Sequence, residues 1–238
     1  VYARLGPKAS ALEEQIHTIS LQERGFPVAK VLESGEYSDG QWYFIEESLG
    51  KETFHTQFAS EYQHTGMVSD ETFTRYAAVM QDYINAQFTE RNRSHITAKE
   101  FIENAIPGNL IIGNYALCGK NVERYQEAIA AATARLADTP MGVLQYDLNP
   151  FNILDRGMID FELVGYGPLG YDTLLVSLWH RWFTSDPASS YTIAYYLSEA
   201  QITTIANMVN AAALDAGIPR PRQYMQEFLL IKSAWGFT

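Results

Sequence analysis

The chain has 238 residues, a net charge of −11 at pH 7 and 47% hydrophobic residues. A chain of this length and composition can bury a substantial core, as one domain or as two lobes. The acidic balance argues against nucleic-acid binding, which needs a basic surface, and is compatible with a cationic small substrate. No apolar run approaches the roughly 20 residues of a membrane span. Cys118 is the single cysteine, which suits a reducing cytoplasm, and we expect a cytoplasmic protein without a membrane partner.

The first 48 residues are predicted to follow the order strand, helix, strand, strand. Residues 1–5 alternate as a strand does, and residues 9–24 carry apolar side chains at helical spacing. Two further strands are predicted at 28–34 and 41–47, with a turn at 38–40 between them.

From residue 51 the pattern becomes mainly helical. Apolar residues recur at helical spacing, and good N-terminal caps or glycine and proline stops limit several segments. The stretch 94–120 has no clear pattern and fits an insertion. Helices are predicted at 70–88, 121–138, 171–183, 198–216 and from about 223 onward.

Three polar residues stand close together in one short segment. Asp147 is followed five positions later by Asn152, and Asp160 comes near the end of a short apolar stretch. Residues 156–157 indicate a turn between two short strands, so segment 143–162 is predicted to be a hairpin whose strand ends bring the carboxylates together. This pattern is typical of phosphoryl transfer: the first Asp orients or deprotonates a hydroxyl, while the Asn and second Asp hold magnesium against nucleotide phosphates.

With these motifs the chain resembles the aminoglycoside phosphotransferase and choline kinase superfamily of protein-kinase-like folds. The catalytic loop of that family reads roughly His-Gly-Asp-Leu-His-Pro-Gly-Asn-Ile-Leu. It stands here as Gln-Tyr-Asp-Leu-Asn-Pro-Phe-Asn-Ile-Leu at residues 145–154. The Ile-Asp-Phe-Glu signature is intact at 159–162, and a Gly-Pro-x-x-Tyr-Asp pattern matches 167–172.

The resemblance implies an α+β, protein-kinase-like, two-lobed fold. Residues 1–48 would form a small β-rich N-lobe that ends in the hinge, and residues 49–238 a large, mainly helical C-lobe. The chain contains no Gly-x-Gly-x-x-Gly. In the family, the loop over the phosphates precedes the strand at which this chain begins, so the first hairpin is expected to be missing. Truncation and true absence both remain open.

The resemblance also implies a nucleotide-binding role for part of the N-lobe. Arg4 takes the position where the family has Lys, or sometimes Arg, on the strand that contacts the phosphates. Glu14 would be its helix partner, with Glu13 as the competitor. The backbone near Glu46, Glu47 and Ser48 would meet the adenine, and their side chains are expected to face solvent.

Four residues are expected to support the catalytic Asp147. Gln145 replaces the histidine that braces the loop in the family, and Asn149 replaces its second histidine. Glu162 would either tune metal or substrate contacts or hydrogen-bond the loop. Asp172 would brace the loop, or it would simply cap the next helix.

Two departures from the family pattern add bulk beside the catalytic residue. Tyr146 and Phe151 each stand where the family has glycine, and they leave both the substrate and the activity open. A catalytically silent kinase-like protein that binds a nucleotide or another ligand is therefore the alternative.

The implied reaction transfers the γ-phosphate of ATP, or GTP, to a hydroxyl of a small molecule, with Mg²⁺ as cofactor. A protein-serine kinase ranks lowest, because the segment between Asp160 and Asp172 is too short for a long activation loop. The acceptor stays open among aminoglycosides, other antibiotics, choline or ethanolamine, sugars and amino-acid derivatives. The oligomeric state is also open.

Overall fold

A three-stranded sheet and one long helix form the N-terminal part of the molecule. The strands are β1 (Tyr2–Pro7), β2 (Val31–Ser38) and β3 (Gln41–Glu46), arranged antiparallel in the order β1-β3-β2. Helix α1 (Lys8–Glu23) connects β1 to β2. The computed structural model describes residues 1–91, 96–105, 119–161, 163–178 and 195–236.

Side-chain hydrogen bonds attach helix α1 to the sheet. Gln15, which is buried in the helix, donates from Nε2 to Ser34 Oγ on β2 at 3.0 Å. Its Oε1 accepts from Trp42 Nε1 on β3 at 2.6 Å. Gly25, with φ +82°, follows the helix in the left-handed conformation that glycine adopts without steric cost. The helix therefore ends at the Gly-Phe-Pro sequence of residues 25–27, close to the predicted end at residue 24.

The larger part of the molecule is mainly helical. Its central helix buries four large side chains completely, namely Tyr76, Met80, Tyr83 and Ile84. This helix begins at Ser69, whose Oγ accepts a hydrogen bond from the Thr72 N–H at 3.2 Å and so satisfies one unpaired donor of the first turn. In the described residues the helices are α2 (Phe54–Thr65), α3 (Asp70–Thr89), α4 (Ala98–Ala105), α5 (Val122–Leu136), α6 (Tyr171–Val176), α7 (Glu199–Asp215) and α8 (Met225–Gly236).

Four short strands lie between α5 and α6, and they correct the predicted hairpin. Strand β4 (Met141–Leu144) pairs with β7 (Gly165–Pro168), while β5 (Ile153–Leu154) pairs with β6 (Gly157–Met158). The two short strands predicted near the turn at 156–157 are confirmed as β5 and β6. Asp147, however, follows β4 of a different sheet, so the prediction that one hairpin covers 143–162 was wrong. A 3₁₀ turn caused the difference, because it begins at Pro150, which has no backbone N–H for a sheet, and separates β4 from β5.

Other element boundaries differ in smaller ways. Strand β2 was predicted at 28–34 but begins at Val31 and continues to Ser38, because Val28 instead forms an isolated bridge to Met158 in the larger part. Of the helix predicted at 171–183, α6 covers only Tyr171–Val176, and residues 177–178 form a turn. The part of the prediction from 179 lies outside the described residues. Residues 94–120, for which the sequence shows no clear pattern, contain helix α4.

The small sheet region and the larger helical region together form the predicted α+β kinase-like fold. A lobe boundary at residue 48 stays a prediction. Within the described part of the chain, no helix is both long and apolar enough to cross a membrane.

Candidate functional site

Asp147 lies on a loop that two asparagines hold in place. The side-chain amides of Asn149 and Asn152 both donate to the carbonyl oxygen of Asp147, at 2.8 and 3.1 Å. Asn149 Oδ1 also accepts from the Phe151 N–H at 2.9 Å and caps the 3₁₀ turn. Both asparagines are buried, whereas Asp147 is exposed. The loop is therefore fixed from within while it presents the carboxylate outward.

Gln145 joins the Asp147 loop to Asp160. Its Nε2 donates to the carbonyl oxygens of Ile159 and Asp160 at 2.6 and 2.9 Å, and the residue is fully buried. The Ile159 N–H donates in turn to the carbonyl oxygen of Asn152 at 2.9 Å. The structure thus places Asp147, Asn152 and Asp160 on neighbouring turns that share hydrogen bonds.

Asp172 is the buried centre of a hydrogen-bond network behind this loop. It accepts from Tyr83 Oη at 2.6 Å, from Gln87 Nε2 at 3.1 Å and from the Gln145 N–H at 3.2 Å. Burial raises the pKa of Asp172, and these hydrogen bonds oppose the shift. Gly170 is the N-cap of α6, so the alternative that Asp172 is a simple cap was wrong.

A lysine that the sequence reasoning missed lies near Asp147. Lys232 on α8 donates from Nζ to the carbonyl oxygen of Tyr146 at 3.4 Å, 86 residues away along the chain. Although the residue is exposed, the surrounding protein partly desolvates the Asp147 carboxylate and raises its pKa, while the Lys232 ammonium lowers it and the nearby Asp160 raises it. Burial also lowers the pKa of Lys232, against the opposing effects of Asp147 and Asp172. Only the folded chain brings this cation to the loop.

The two bulky residues at family glycine positions have different surroundings. Tyr146 has φ 61°, the left-handed conformation that glycine adopts most readily. Its ring lies parallel to Phe101 with centroids 6.2 Å apart, and its Oη donates to the Tyr166 carbonyl oxygen at 2.7 Å. The helical part of the molecule therefore accommodates this ring. Phe151 instead stacks on His55 of α2, with ring centroids 3.6 Å apart.

In the N-terminal part, Arg4 contacts two carboxylates. Arg4 Nη1 lies 2.8 Å from Glu14 Oε1, and Arg4 Nε lies 3.3 Å from Glu46 Oε2. The structure thus places Glu14, rather than Glu13, against Arg4. These contacts leave Nη2 of the guanidinium for another ligand.

The expectation that the Glu46 side chain faces solvent was wrong. Glu46 is only 6% exposed, and burial raises its pKa while Arg4 lowers it. Arg4 is paired in register with Phe44, and Glu46 stands two residues further along β3. Because side chains alternate along a strand, Glu46 lies on the same face as Arg4.

A cavity of about 440 Å³ lies between the small sheet and the β5–β6 hairpin. Its apolar wall comes from both parts of the chain, because Ala29 and Leu49 pack with Leu154 and Ile159. The sequence reasoning did not assign these residues to a site, since short apolar runs look alike in a strand and in a cavity wall. Ser48 does not line the cavity, and its Oγ donates to the Gly50 carbonyl oxygen at 3.0 Å. The lining residues are Tyr2, Ala3, Arg4, Ala29, Glu46, Glu47, Leu49, Lys51, Thr53, Leu154 and Ile159.

Glu162 and the possible metal ligands are the remaining features of the site. Glu162 lies outside the described residues. In the ranges that the structure describes, no three His, Cys, Asp or Glu side chains form a metal cluster. Asn152 and Asp160 supply one amide and one carboxylate, the oxygen ligands that magnesium accepts when nucleotide phosphates and water complete its shell.

A small sheet and a helical region with this Asp, Asn and Asp arrangement define a protein of the kinase-like fold class. The sequence profile of the "Phosphotransferase enzyme family" (APH) matches residues 2–204, and the chain belongs to this family. No match was found among curated protein sequences.

Solved structures of aminoglycoside phosphotransferases have a similar fold. One is a thermostable mutant of APH(4)-Ia in a ternary complex with ADP and hygromycin B. It is 16% identical, with a TM-score of 0.56, over 96% of this chain and 76% of that chain. Another is APH(3'')-Id from Streptomyces rimosus ATCC10970 with ADP and streptomycin, which is 15% identical, with a TM-score of 0.53, over 98% and 86% of the two chains. At these identities the likeness concerns the fold alone.

Proposed function

We propose that this protein is a small-molecule kinase that transfers the γ-phosphate of ATP to a hydroxyl group. One observation carries the proposal: hydrogen bonds join the turns that present Asp147, Asn152 and Asp160. Phosphoryl transfer depends mainly on positioning and on electrostatic stabilisation, so a preorganised set of this kind is what the reaction requires.

Asp147 is the proposed catalytic residue. Its carboxylate would orient the acceptor hydroxyl and receive its proton as the phosphate is transferred. Burial raises the pKa of Asp147, which favours a group that must accept a proton. Gln145, Asn149 and Asp172 would support the reaction by fixing the loop. Asn149 donates to the Asp147 carbonyl, Asp172 accepts from the Gln145 N–H, and the Gln145 side chain ties the loop to the backbone of Asp160.

Asn152 and Asp160 are the proposed ligands of Mg²⁺. Asn152 donates from Nδ2 to the carbonyl oxygen of Asp147, which directs its Oδ1 away from that carbonyl. Asp160 has φ 65°, a left-handed conformation that Asp tolerates better than most residues. A magnesium ion held here would neutralise phosphate charge.

The cavity between the sheet and the hairpin is the proposed nucleotide site. Its apolar wall would hold the adenine, and the backbone at Glu46 and Glu47 would contact the adenine edge. Arg4, held by Glu14, would direct Nη2 to the phosphates. The nucleotide in the similar structures is ADP, which favours ATP over GTP for this chain.

The proposed acceptor is a small molecule, which is supported by the similar structures, since they are complexes with hygromycin B or streptomycin. The net charge of −11 is compatible with a cationic acceptor. We also propose lobes at 1–48 and 49–238 and a cytoplasmic setting.

The test is ADP release from ATP and Mg²⁺ in the presence of aminoglycosides, amino alcohols and sugars, with Asp147→Ala as the blank. Release that depends on one acceptor and disappears in the variant would support a kinase. Binding of Mg²⁺–ATP without transfer to any acceptor would favour the silent alternative. Failure to bind nucleotide would overturn the kinase proposal and leave only a silent protein that binds another ligand.

A further inference from the structure

Arg156 joins the turn between β5 and β6 to the segment that follows β3. Its side chain donates from Nη2 to the carbonyl oxygen of Ser48, and its backbone N–H donates to the carbonyl oxygen of Leu49 at 2.9 Å. Arg156 is exposed and does not line the proposed nucleotide cavity, whereas Leu49 is buried and lines it. One arginine therefore holds two successive carbonyl groups of the cavity wall from outside the cavity.

The next carbonyl group of this segment is also occupied. The carbonyl oxygen of Gly50 accepts from Ser48 Oγ at 3.0 Å and from Tyr2 Oη at 3.1 Å. Hydrogen bonds from the protein thus engage the carbonyl groups of all three residues from 48 to 50. What this segment offers to a ligand is consequently an N–H group rather than a carbonyl oxygen.

The side-chain contact of Arg156 fixes the orientation of the peptide group between Ser48 and Leu49. In a planar trans peptide, the C=O of one residue and the N–H of the next point in opposite directions. Because the Ser48 carbonyl points to Arg156, the Leu49 N–H points away from it, and Leu49 is the residue that lines the cavity. In the part of the chain that the structure describes, no acceptor contacts this N–H. A buried donor without an acceptor is costly, so the group is available to pair with a ligand.

The residues just before this peptide do not offer an equivalent donor. The Glu47 N–H already donates to the carbonyl oxygen of Lys30 at 3.0 Å. Glu46 belongs to β3, which pairs with β1 on one side and with β2 on the other. The Leu49 N–H is therefore the donor that this wall of the cavity presents to the edge of a base.

We propose that Arg156 is a positioning residue that selects adenine over guanine, because it holds the Leu49 N–H toward the base. Adenine N1 is an acceptor and can take this hydrogen bond, whereas guanine N1 carries a hydrogen and would set two donors against each other. If the peptide turned over, the Ser48 carbonyl would face the base and would match guanine instead. The inference rests on the proposed function, since it takes this cavity as the nucleotide site.

The test compares the binding of two nucleotides that differ only in the base. The probes are the non-hydrolysable β,γ-imido analogues of ATP and GTP, and their dissociation constants are measured by calorimetry on the full chain with Mg²⁺ present. We expect the adenine analogue to bind at least about 10-fold more tightly, which is the size of effect expected when one buried donor is left unpaired.

Three variants make the test specific to the contact with the Ser48 carbonyl. Arg156→Met removes the side-chain donors and frees the peptide to turn over, so the two analogues should bind with nearly equal affinity. Arg156→Lys keeps one donor group and should retain part of the preference. Arg91→Met is the matched control, because Arg91 also donates to a backbone carbonyl, that of Phe88 at 2.8 Å, and does not line the cavity. Thermal melting checks that each variant is folded.

Loss of the adenine preference in Arg156→Met, with the preference kept in Arg91→Met, would support the inference. Equal affinity of the wild-type chain for the two analogues, binding of neither, or a preference that survives in Arg156→Met would overturn it. Loss of the preference in Arg91→Met as well would also overturn it, because the effect would not depend on the Ser48 contact. The proposed function fails on a different measurement, namely the absence of ADP release with every hydroxyl acceptor while the adenine preference persists.

Discussion

Asp147 and Arg4 are held by very different surroundings. Around Asp147 the loop is fixed by buried amide and carbonyl groups that are mostly neutral, and Asp172 is fully enclosed behind it. Around Arg4 the contacts are two ion pairs, to Glu14 and Glu46, and the guanidinium side chain is 31% exposed. One region is rigid by burial, and the other is ordered by charges that solvent reaches.

This difference indicates which of the two regions can change its contacts when a ligand binds. Hydrogen bonds in a buried network are costly to leave unpaired, so the Asp147 loop has one favoured arrangement. Ion pairs near the surface are worth little and weaken with salt. The partly exposed guanidinium of Arg4 can therefore adjust toward a phosphate while it keeps its contact with the buried Glu46, whose loss would be costly, and Asp147 stays in place.

The largest effect is expected at the rigid region, where Asp147→Ala should lower phosphate transfer by about 10²- to 10⁴-fold. Binding of Mg²⁺–ATP should persist, because the cavity residues and Arg4 are unchanged. Transfer is measured as acceptor-dependent ADP release, and binding as thermal shift. Asp155→Asn is the control, since that carboxylate pairs with Arg75. Full activity in Asp147→Ala would contradict the assignment.

Asp172→Ala should have the next largest effect, on stability. It would leave the Tyr83 hydroxyl without its buried acceptor and remove one of two acceptors from Gln87 and from the Gln145 N–H, at a cost of about 3 kcal/mol in the free energy of unfolding. Urea denaturation measures the loss. Tyr83→Phe removes one donor to Asp172 and one acceptor of the Gln145 N–H but leaves the Asp172 carboxylate in place, and should cost about 1–2 kcal/mol. Similar losses for the two variants would mean that Asp172 is not the centre of the network.

Arg4→Met tests the adaptable region and should weaken ATP binding by about 10-fold, the equivalent of about 1.4 kcal/mol. The affinity of the wild-type protein for ATP should also fall as the salt concentration rises, because the contacts of Arg4 are ionic and partly exposed. Lys8→Met is the matched control, since it removes an exposed ion pair with Glu36 in the same part of the chain. Equal effects of the two substitutions on the ATP dissociation constant would show that Arg4 has no special role.

The same comparison explains which features could be predicted from the sequence. Asp147, Asn152 and Asp160 stand within one short segment, so their grouping needs only local chain geometry. Helix α3 was predicted at 70–88 and observed at Asp70–Thr89, because its cap and apolar face are both local signals.

Features that depend on distant segments were missed or wrong. Lys232 reaches the loop only through the packing of α8, and the burial of Glu46 follows from its register with β1. The single predicted hairpin failed because β4 pairs with β7, which lies beyond Asp160 in the sequence. Strand pairing and burial are set by the whole fold, and a short polar motif carries no information about them.

The smallest expected effect is a loss of folding stability at acidic pH. It tests whether the larger part of the molecule depends on uncharged contacts. Burial lowers the pKa of His55 from 6.5 to about 4. As the pH falls below 6.5, the unfolded chain takes up a proton on this histidine while the folded chain does not, so stability present above pH 6.5 is lost toward pH 4. The loss has an upper limit of about 3 kcal/mol, and partial exposure of the ring reduces it to about 1 kcal/mol, less than the change expected for Arg4→Met.

His55→Phe removes this titration and keeps a ring to stack on Phe151. The free energy of unfolding, measured by urea denaturation at pH 7 and pH 4.5, should therefore fall less in the variant than in the wild type. An equal fall in both proteins would mean that the imidazole is not held neutral by burial. In that case the uncharged contacts that hold the Asp147 loop would not extend to α2, and the contrast with the charged surroundings of Arg4 would apply to the loop alone.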